Sequence, residues 1–382
     1  MSGASFLRVV DLSASPTLTE YAYACGGTAV QVQNKMLSGT RRKNWSEEVV
    51  LVTGGTGSFG RKFVEIMLQE HRPKKLIIFS RDESKQHDMQ AERFKHPGLQ
   101  YVLGDVRDAH SLERAFTGVT VVVHAAALKQ VQACESNPFD AIQTNIIGSK
   151  NMIDAAINRG VRLVIALSTD KAVHPINLYG ATKLCAEKML IQANAQPETQ
   201  VTHFSCVRPG NFLGSRSSVI PLFVEQRKRG KVTITDARMT RFWITVERAA
   251  HFVIKCLERM QGGEIFVPKM PSMKLLDIAQ AVAPSCHIES LGIRPGEKLH
   301  EELLSEDEAR YSRESDEMFV IRPTHGERAT DDWNDEVPVP EGFRYASNTN
   351  SEWLTAEELY RLVDGSAPTL PRPIDGTERR VQ

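Results

Sequence analysis

One segment constrains the fold more than any other: a run with glycines at positions 54, 57 and 60, between an apolar stretch and a helical pattern. The apolar stretch, residues 49–52, has the composition of a buried parallel strand. Glycines let the backbone approach a phosphate closely, and the first turn of the following helix presents N–H groups and the positive end of its dipole. The segment therefore predicts a phosphate-binding loop after a first strand.

Strand and helix patterns then alternate as far as about residue 210, beginning with a helical pattern at 61–69. Such alternation is typical of the α/β class and predicts a Rossmann-type, doubly wound parallel sheet. Beyond residue 211 short strands and helices mix less regularly, which predicts a smaller C-terminal substrate-binding lobe. The further strands predicted for the sheet are 76–79, 101–103, 119–123 and 163–167.

These patterns divide the chain into four predicted regions. The first region lacks periodicity, so we expect a disordered or mis-assigned N-terminal extension, with Met36 as an alternative start. The regions are the extension (1–47), the NADP-binding domain (48–210), the mixed α/β substrate-binding lobe (211–330) and a C-terminal loop, helix and tail (331–382).

The composition excludes several classes of function. The chain has 47 basic and 47 acidic residues, so no net charge draws it to nucleic acid or an anionic membrane. Its longest apolar stretch, 121–128, is interrupted by His124 and is too short to cross a bilayer. The six cysteines form no C-x-x-C pair and no zinc spacing, so we predict free thiols, no metal and a cytoplasmic location.

The residues after the second predicted strand favour NADP over NAD. Ser80 ends that strand, and Arg81 and Lys85 follow it. NAD enzymes usually carry an acid here for the ribose hydroxyl, whereas Ser, Arg and Lys suit a 2′-phosphate. Asp82 and Glu83 leave NAD open as an alternative. The predicted cofactor-binding residues are Gly54, Thr56, Gly57, Ser58, Phe59, Gly60, Ser80, Arg81, Asp82, Glu83, Lys85, Asp105, Val106, Ala125, Ala126, Tyr179, Lys183 and Phe212.

A reaction centre is predicted after the fifth strand. Tyr179 and Lys183 lie one helical turn apart on the same face, and the ammonium together with a nicotinium charge should lower the pKa of the tyrosine. Thr169, Asp170 and Lys171 directly follow the strand and point to the crevice where ligands lie in such sheets. An acid beside a lysine suggests paired proton transfer; a salt bridge within the loop is the alternative.

The glycine loop and Tyr-x-x-x-Lys resemble the extended short-chain dehydrogenase/reductase superfamily. Longer segments resemble the configuration-inverting UDP-N-acetylglucosamine 4,6-dehydratases, which start pseudaminic acid synthesis for flagellin or surface glycans. The resemblance implies a homo-oligomer, a dimer or a hexamer. It covers about residues 48–365, and the segments that carry it are 125–130, 168–172, 177–183, 239–245 and 292–300.

The resemblance implies a redox-neutral hydro-lyase. Tyr179 would take the 4-hydroxyl proton while C4 passes hydride to NADP, Lys171 would remove the C5 proton, and Asp170 would protonate the departing 6-hydroxyl. Hydride then returns to C6 and a proton reaches C5 from the opposite face. Retaining sugar dehydratases carry Glu after the Asp, so Lys171 points to inversion, and a closed, dry site would lower its pKa enough for a base.

The resemblance also implies the residues that bind UDP-N-acetylglucosamine. The arginines among them suit a diphosphate, because a guanidinium fork matches its oxygens. Two departures from the family pattern, Pro209 in place of Tyr and Ser217 in place of Gly, bear on the choice of substrate. The implied substrate-binding residues are Lys129, Asn211, Val219, Thr235, Arg241, Arg294 and Glu297.

Two other functions remain open on the sequence. A nucleotide-sugar 4-epimerase or C5-epimerase would use the same Tyr179 and Lys183 without eliminating water, and Asp170 with Lys171 argues against it. A non-catalytic NADP-binding regulator would not need an intact set of these four residues.

Overall fold

The computed structural model describes residues 43–92, 94–196, 201–215, 218–323, 333 and 336–363. Met36 lies outside them. The strands are β1 (Val49–Thr53), β2 (Lys75–Ser80), β3 (Leu99–Leu103), β4 (Val121–His124), β5 (Leu163–Leu167), β6 (His203–Val207), β7 (Asn211–Leu213), β8 (Lys231–Ile234), β9 (Thr240–Thr245), β10 (Ile265–Pro268), β11 (Ser272–Lys274), β12 (His287–Ser290), β13 (Glu302–Leu304), β14 (Ser312–Glu314), β15 (Met318–Ile321), β16 (Val337–Pro338) and β17 (Tyr345–Ala346). The helices are α1 (Ser58–Ile66), α2 (Glu83–Ala91), α3 (Ala109–Ala115), α4 (Val131–Ser136), α5 (Pro138–Ile142), α6 (Gly148–Asn158), α7 (Leu178–Ala193), α8 (Val219–Arg227), α9 (Val246–Arg259), α10 (Leu275–Val282), α11 (Glu306–Ala309) and α12 (Ala356–Val363).

The central sheet has ten strands in the order β3-β2-β1-β4-β5-β6-β10-β15-β14-β16. The strands from β3 to β10 are parallel, and β15, β14 and β16 continue the sheet antiparallel. The α/β, Rossmann-type prediction is therefore confirmed. The strand order reverses between β1 and β4, and at such a switch point the loops diverge and leave a ligand-binding crevice at the carboxyl ends of the strands.

The predicted boundary at residue 211 does not mark the edge of this sheet. Strand β10 is buried at every position and pairs in parallel with β6, and β15 follows on its other side. An apolar run that is buried on both faces belongs inside a sheet. The sheet therefore takes strands from the region that the sequence analysis assigned to the lobe.

The lobe that remains has its own apolar core. It contains a three-stranded sheet, β11-β9-β7, and the parallel pair β12-β8. Helices α8, α10 and α12 pack on a second hydrophobic cluster that includes Phe223, Trp243 and Ile278. The described residues contain no helix that is long and apolar enough to cross a membrane.

An ordered turn lies at the end of the region 1–47 that was predicted as an N-terminal extension. A short 3-10 turn spans Trp45–Glu47, and Trp45 is buried in the main core with its Nε1–H donating to Glu258 at 2.9 Å. The described fold therefore begins before residue 47, with Trp45 as a single aromatic anchor among polar neighbours. Residues 1–42 lie outside the described part of the chain.

Candidate active site

A cleft of about 460 Å³ opens at the carboxyl ends of the parallel strands. At its base Gly54 has φ +67°, and a Cβ there would lie 2.9 Å from the backbone of Ala125 and Ala126. No side chain fits that position, because β1 and β4 deliver their loops against each other. Helix α1 starts directly after Gly57, so its first N–H groups face the same loop.

The residues predicted to bind the cofactor converge on this cleft. Glu83, the exposed first residue of α2, is not among the lining residues, and its role stays a prediction. The predicted residues that line the cleft are Gly54, Thr56, Gly57, Ser58, Phe59, Gly60, Ser80, Arg81, Asp82, Lys85, Asp105, Val106, Ala125, Ala126, Tyr179, Lys183 and Phe212.

The cleft fits a dinucleotide on evidence of its own. The Oγ1 atom of Thr144 and the Oγ atom of Ser168 are buried, line the cleft and make no hydrogen bond within the described residues. Buried hydroxyls without partners are costly, so their presence on the wall indicates a polar ligand. Gly54 and the α1 N-terminus would hold the pyrophosphate, and Lys183 and Tyr179 would face the nicotinamide half.

The adenosine end of the cleft carries two exposed cations. Arg81 lies 3.7 Å from Asp105, and Lys85 lies 2.6 Å from Asp82. The carboxylate of Asp82 also accepts the backbone N–H of Lys85 at 2.9 Å, and the hydrogen bonds from Lys85 lower the pKa of this acid. Asp82 is thus occupied as a helix cap, and this weakens its case as a ribose ligand.

A buried histidine supports the phosphate loop from behind. The Oγ1 atom of Thr53 accepts from the backbone N–H groups of Ala125 and Ala126 at 3.2 Å, so its own proton goes to Nδ1 of His124 at 2.8 Å. Nε2 then carries the imidazole proton and faces Ser149 Oγ at 3.4 Å. Burial lowers the pKa of His124 to about 3, so this neutral ring is a structural link between β1 and β4.

Helix α7 presents Tyr179 and Lys183 to the cleft, as the spacing predicted. The helix starts where the side chain of Asn177 accepts the backbone N–H of Gly180 at 2.7 Å. A Cβ at Gly180 would lie 2.0 Å from the carbonyl oxygen of Lys171. The glycine therefore lets the catalytic helix pack directly against the turn that carries the second pair of candidate residues.

The expected lowering of the tyrosine pKa is not found among the protein's own groups. Burial raises the pKa of Tyr179 to about 12 and outweighs both the charge of Lys171 and the hydrogen bond with Thr169. Burial also lowers the pKa of Lys183. In the protein alone the pKa of Tyr179 therefore shifts opposite to the predicted direction, and the cation that opposes the burial is Lys171. The part that depends on a nicotinium charge stays a prediction.

The turn after β5 holds the second pair. Asp170 is buried, and its backbone N–H donates to the carbonyl of Pro209 at 3.1 Å. Thr169 donates to Asp170 Oδ1 at 2.9 Å, and Lys171 Nζ donates to the same oxygen at 2.9 Å. Nζ also lies 3.5 Å from Asn211 Oδ1. The other carboxylate oxygen of Asp170, Oδ2, is buried and has no partner in the described residues, which is costly for a carboxylate oxygen. Unlike Tyr179, neither Thr169, Asp170 nor Lys171 is among the residues that line the cleft.

The charge state of Lys171 differs from the prediction. Burial lowers the pKa of this lysine, but the carboxylates of Asp170 and Glu301 outweigh it and raise the pKa above its ordinary value. Glu301 lies 3.3 Å from Nζ with a side chain that is 2% exposed. The expectation that the pKa of Lys171 is lowered is therefore wrong. The sequence predicted only Asp170 beside this lysine, and Glu301 is a second acid there.

Three predicted substrate residues lie in or beside this centre. Lys129 lines the cleft and burial lowers its pKa, and Asn211 contacts Lys171. Arg241 reaches the same network at 3.7 Å from Glu301. Its NH1 and NH2 groups donate to the carbonyls of Leu299 and Lys298 at 3.1 and 2.9 Å. These hydrogen bonds use part of the guanidinium to hold the segment before β13.

The other predicted substrate residues lie on the lobe, outside the lining of the cleft. Val219 begins α8, Thr235 follows β8, and Arg294 is exposed in the loop before β13. Glu297 in the same loop has a buried Oε2 atom without a partner in the described residues, as expected of a ligand-binding group. Their roles stay predictions, and Ser217 lies outside the described residues.

Sequence reasoning missed Glu301, Lys298, Thr144 and Ser168. Glu301 directly follows the segment 292–300 that carries part of the family resemblance, and that position was the available signal. The two hydroxyl residues had no local signal, because only the burial of their oxygen atoms distinguishes them.

The fold, the glycine loop and the Tyr-x-x-x-Lys helix together define an extended short-chain dehydrogenase/reductase. The chain belongs within this class to the family described as Polysaccharide biosynthesis protein, whose family model matches residues 50–323. A UDP-N-acetylglucosamine 4,6-dehydratase (inverting) of Campylobacter jejuni is 44% identical over 331 residues, 84% of this chain and 98% of that protein. The predicted resemblance and enzyme class, a hydro-lyase, are thereby confirmed.

Two further comparisons extend this result. A UDP-glucose 4-epimerase of Rickettsia rickettsii is 42% identical over 270 residues, 69% of this chain and 79% of that protein. The X-ray structure of Pen from Bacillus thuringiensis matches with a TM-score of 0.78 and 37% identity, and covers 85% of this chain and 99% of that chain. The family therefore includes relatives that are named for two different reactions on a nucleotide sugar.

Proposed function

We propose that the protein is an NADP-dependent, inverting 4,6-dehydratase of UDP-N-acetylglucosamine. The observation that carries this proposal is the pair Asp170–Lys171, buried beside Tyr179 with the Oδ2 atom of Asp170 unpartnered. The turn that carries the pair packs directly against α7 at Gly180, so a nucleotide sugar bound beside Tyr179 would lie close to the pair. The 44% identity to an inverting dehydratase supports the same reaction.

The first proton transfer is assigned to helix α7. Tyr179 takes the proton of the 4-hydroxyl, and Lys183 orients the bound dinucleotide from the next turn of the helix. When bound, the nicotinamide accepts hydride from C4 and later returns it to C6. Because burial raises the pKa of Tyr179 to about 12, the tyrosine needs a neighbouring positive charge to act as a base, and Lys171 supplies part of it.

The elimination is assigned to the Asp170–Lys171 pair. Oxidation at C4 makes the C5 proton acidic, so a base at C5 and an acid at the 6-hydroxyl can expel water. Lys171 removes the proton from C5, and Asp170 protonates the leaving oxygen. Return of a proton to C5 from the opposite face inverts that centre.

NADP is proposed from the two cations at the adenosine end. Arg81 and Lys85 are exposed on the rim, and the carboxylate of Asp82 is already bound by Lys85. We further propose that the enzyme acts as a homo-oligomer, a dimer or a hexamer, at the first step of pseudaminic acid synthesis. This pathway step is proposed because the chain resembles the inverting UDP-N-acetylglucosamine 4,6-dehydratases.

Mass spectrometry of the product tests the proposal. Incubation with UDP-N-acetylglucosamine and NADP should give a UDP-sugar that is lighter by one water, with no net change of the cofactor. A product of unchanged mass would contradict dehydration.

The second candidate is a nucleotide-sugar 4-epimerase. The 42% identity to a protein named UDP-glucose 4-epimerase favours it, and Tyr179 with Lys183 could serve either reaction. Epimerisation keeps the mass and changes only the configuration at C4, so the same mass measurement with a proton NMR spectrum separates the two. The Asp170–Lys171 pair has no task in an epimerase, which is why we place this candidate second.

A further inference from the structure

Glu301 is a buried carboxylate with one close cationic partner in the reaction centre. It directly precedes β13, and its Oε1 atom lies 3.3 Å from Lys171 Nζ. Arg241 and Lys298 lie farther away, at 3.7 and 3.9 Å. Its Oε2 atom is buried and accepts no hydrogen bond from the described residues. A buried carboxylate is unfavourable unless a charge compensates it, so the contact with Lys171 needs an explanation beyond packing.

Lys171 is held by acceptors from three separate segments. Asp170 accepts from Nζ at 2.9 Å within the turn after β5, and Asn211 on β7 lies at 3.5 Å. Glu301 approaches from the segment before β13. Three directions fix the position of one ammonium, whereas Asp170 alone would leave the long lysine chain free to swing.

We propose that Glu301 is a positioning residue for the dehydration: it holds Lys171 against Asp170 so that the pair retains one shared proton for the elimination. This inference rests on the proposed function. It adds Glu301 as the residue that sets the charge state of Lys171, the proposed base. Asp170 keeps its unpartnered Oδ2 for the substrate, because Lys171 and Thr169 bind Oδ1.

The proton that Lys171 and Asp170 share accounts for both proton transfers of the elimination. The proton passes from Lys171 Nζ to Asp170, which gives a neutral amine and a neutral acid. The amine then takes the C5 proton, the electrons of the C5–H bond form the C5–C6 double bond, and the C6–O bond breaks as Asp170 protonates the oxygen. Water leaves, and the pair is again an ammonium and a carboxylate.

The charges around Lys171 determine what loss of Glu301 should do. With its carboxylate removed, burial and the remaining cations lower the pKa of Lys171, and only Asp170 opposes them. Removal of an opposite charge at this distance shifts a pKa by about 1–3 units. The charged or titratable groups that face Lys171 are Asp170, Tyr179, Arg241, Lys298 and Glu301.

A titration of Lys171 in the full chain tests the inference without turnover. The lysine ε-methylene signals are followed by carbon-detected NMR, and Lys171→Arg identifies the signal. Glu301→Gln should lower the midpoint by about one pH unit or more. The matched control is Glu302→Gln, whose carboxylate lies 3.0 Å from His174 and 3.9 Å from Arg344, and it should leave the midpoint unchanged. An unmoved midpoint in Glu301→Gln would overturn the proposal.

The pH profile of turnover gives the second readout. In Glu301→Gln the alkaline decline of kcat should begin at lower pH by the same shift, with KM for the sugar nucleotide changed less than kcat. Glu301→Asp keeps the charge, so it should restore much of the parental profile. Glu301→Leu also removes the charge, and it replaces the Gln variant if that chain does not fold. If the parent releases no water from UDP-N-acetylglucosamine, the proposed function fails. An unshifted Lys171 titration contradicts the role of Glu301 alone.

Discussion

The cofactor cleft and the reaction centre are built from the chain in different ways. Most groups of the cleft stand in the loops directly after β1, β2, β3 and β4, each next to the strand that places it. In the reaction centre, the turn at Asp170 meets Asn211, Arg241 and Glu301, which come from distant segments of the chain. Local sequence determines the first region, and tertiary packing determines the charges in the second.

This difference explains which predictions succeeded. The glycine loop and the Tyr179/Lys183 pair were predictable because a strand end or one turn of a helix fixes the relevant groups. The pKa direction of Lys171 was predicted wrongly because it depends on Glu301, which no local pattern reveals. In the protein alone, burial likewise raises the pKa of Tyr179, whereas a fall was predicted with the nicotinium charge in place.

The same reasoning applies to the fold. The parallel strands β1 to β5 were predictable from apolar runs, whereas β6 was not predicted. The pairing of β10 with β6 and β15 joins strands that are far apart in the chain, so the predicted boundary at residue 211 missed it. Trp45 was missed because a single aromatic residue in a polar segment has no periodicity.

The largest effect is expected at the lysine of the reaction centre. Lys171→Ala should reduce water elimination about 10²- to 10⁴-fold, the usual scale for loss of a general base. The near-ultraviolet absorbance of the reduced nicotinamide should still develop but more slowly, because oxidation at C4 uses Tyr179 and Lys183 and loses the part of the positive charge that Lys171 supplies. As a control, Lys150→Ala removes an exposed lysine that pairs with Asp154 on α6, and turnover should stay parental. Elimination at the parental rate in Lys171→Ala would exclude this lysine as the base.

The next effect concerns the buried arginine that links α7 to α11. Arg208 is buried, donates bidentately to Glu187 on α7 at 2.7 and 3.0 Å, and reaches Glu308 on α11 at 2.9 Å. Arg208→Ala leaves these carboxylates without their cation and should lower the free energy of unfolding by about 3–5 kcal/mol in denaturant titrations. Arg310→Ala, an exposed arginine 3.8 Å from Asp307, should cost less than about 1 kcal/mol. Equal losses would show that the buried network does not stabilise the packing of α7 against α11.

The smallest effect is expected at the rim of the cofactor cleft. Arg81→Ala should narrow the preference for NADP over NAD by about 1–3 kcal/mol, the scale of a charge-assisted hydrogen bond. Calorimetric titration with both dinucleotides measures this difference. Lys62→Ala, on the outer side of α1 beside Glu65, should leave the preference unchanged. Equal affinities of the parent for NADP and NAD would refute the assignment of the cofactor.

The configuration of the product at C5 tests the central claim most directly, because inversion requires that the C5 proton is removed from one face, as proposed for Lys171, and that a solvent-derived proton is returned to the other face. The reaction is run in heavy water with UDP-N-acetylglucosamine, and the coupling constants and deuterium content of the product are read by NMR. The account predicts a product that has lost one water, carries one deuterium at C5 and has the inverted configuration there. A dehydrated product with C5 retained, or an epimer with the original mass and no deuterium at C5, would contradict it.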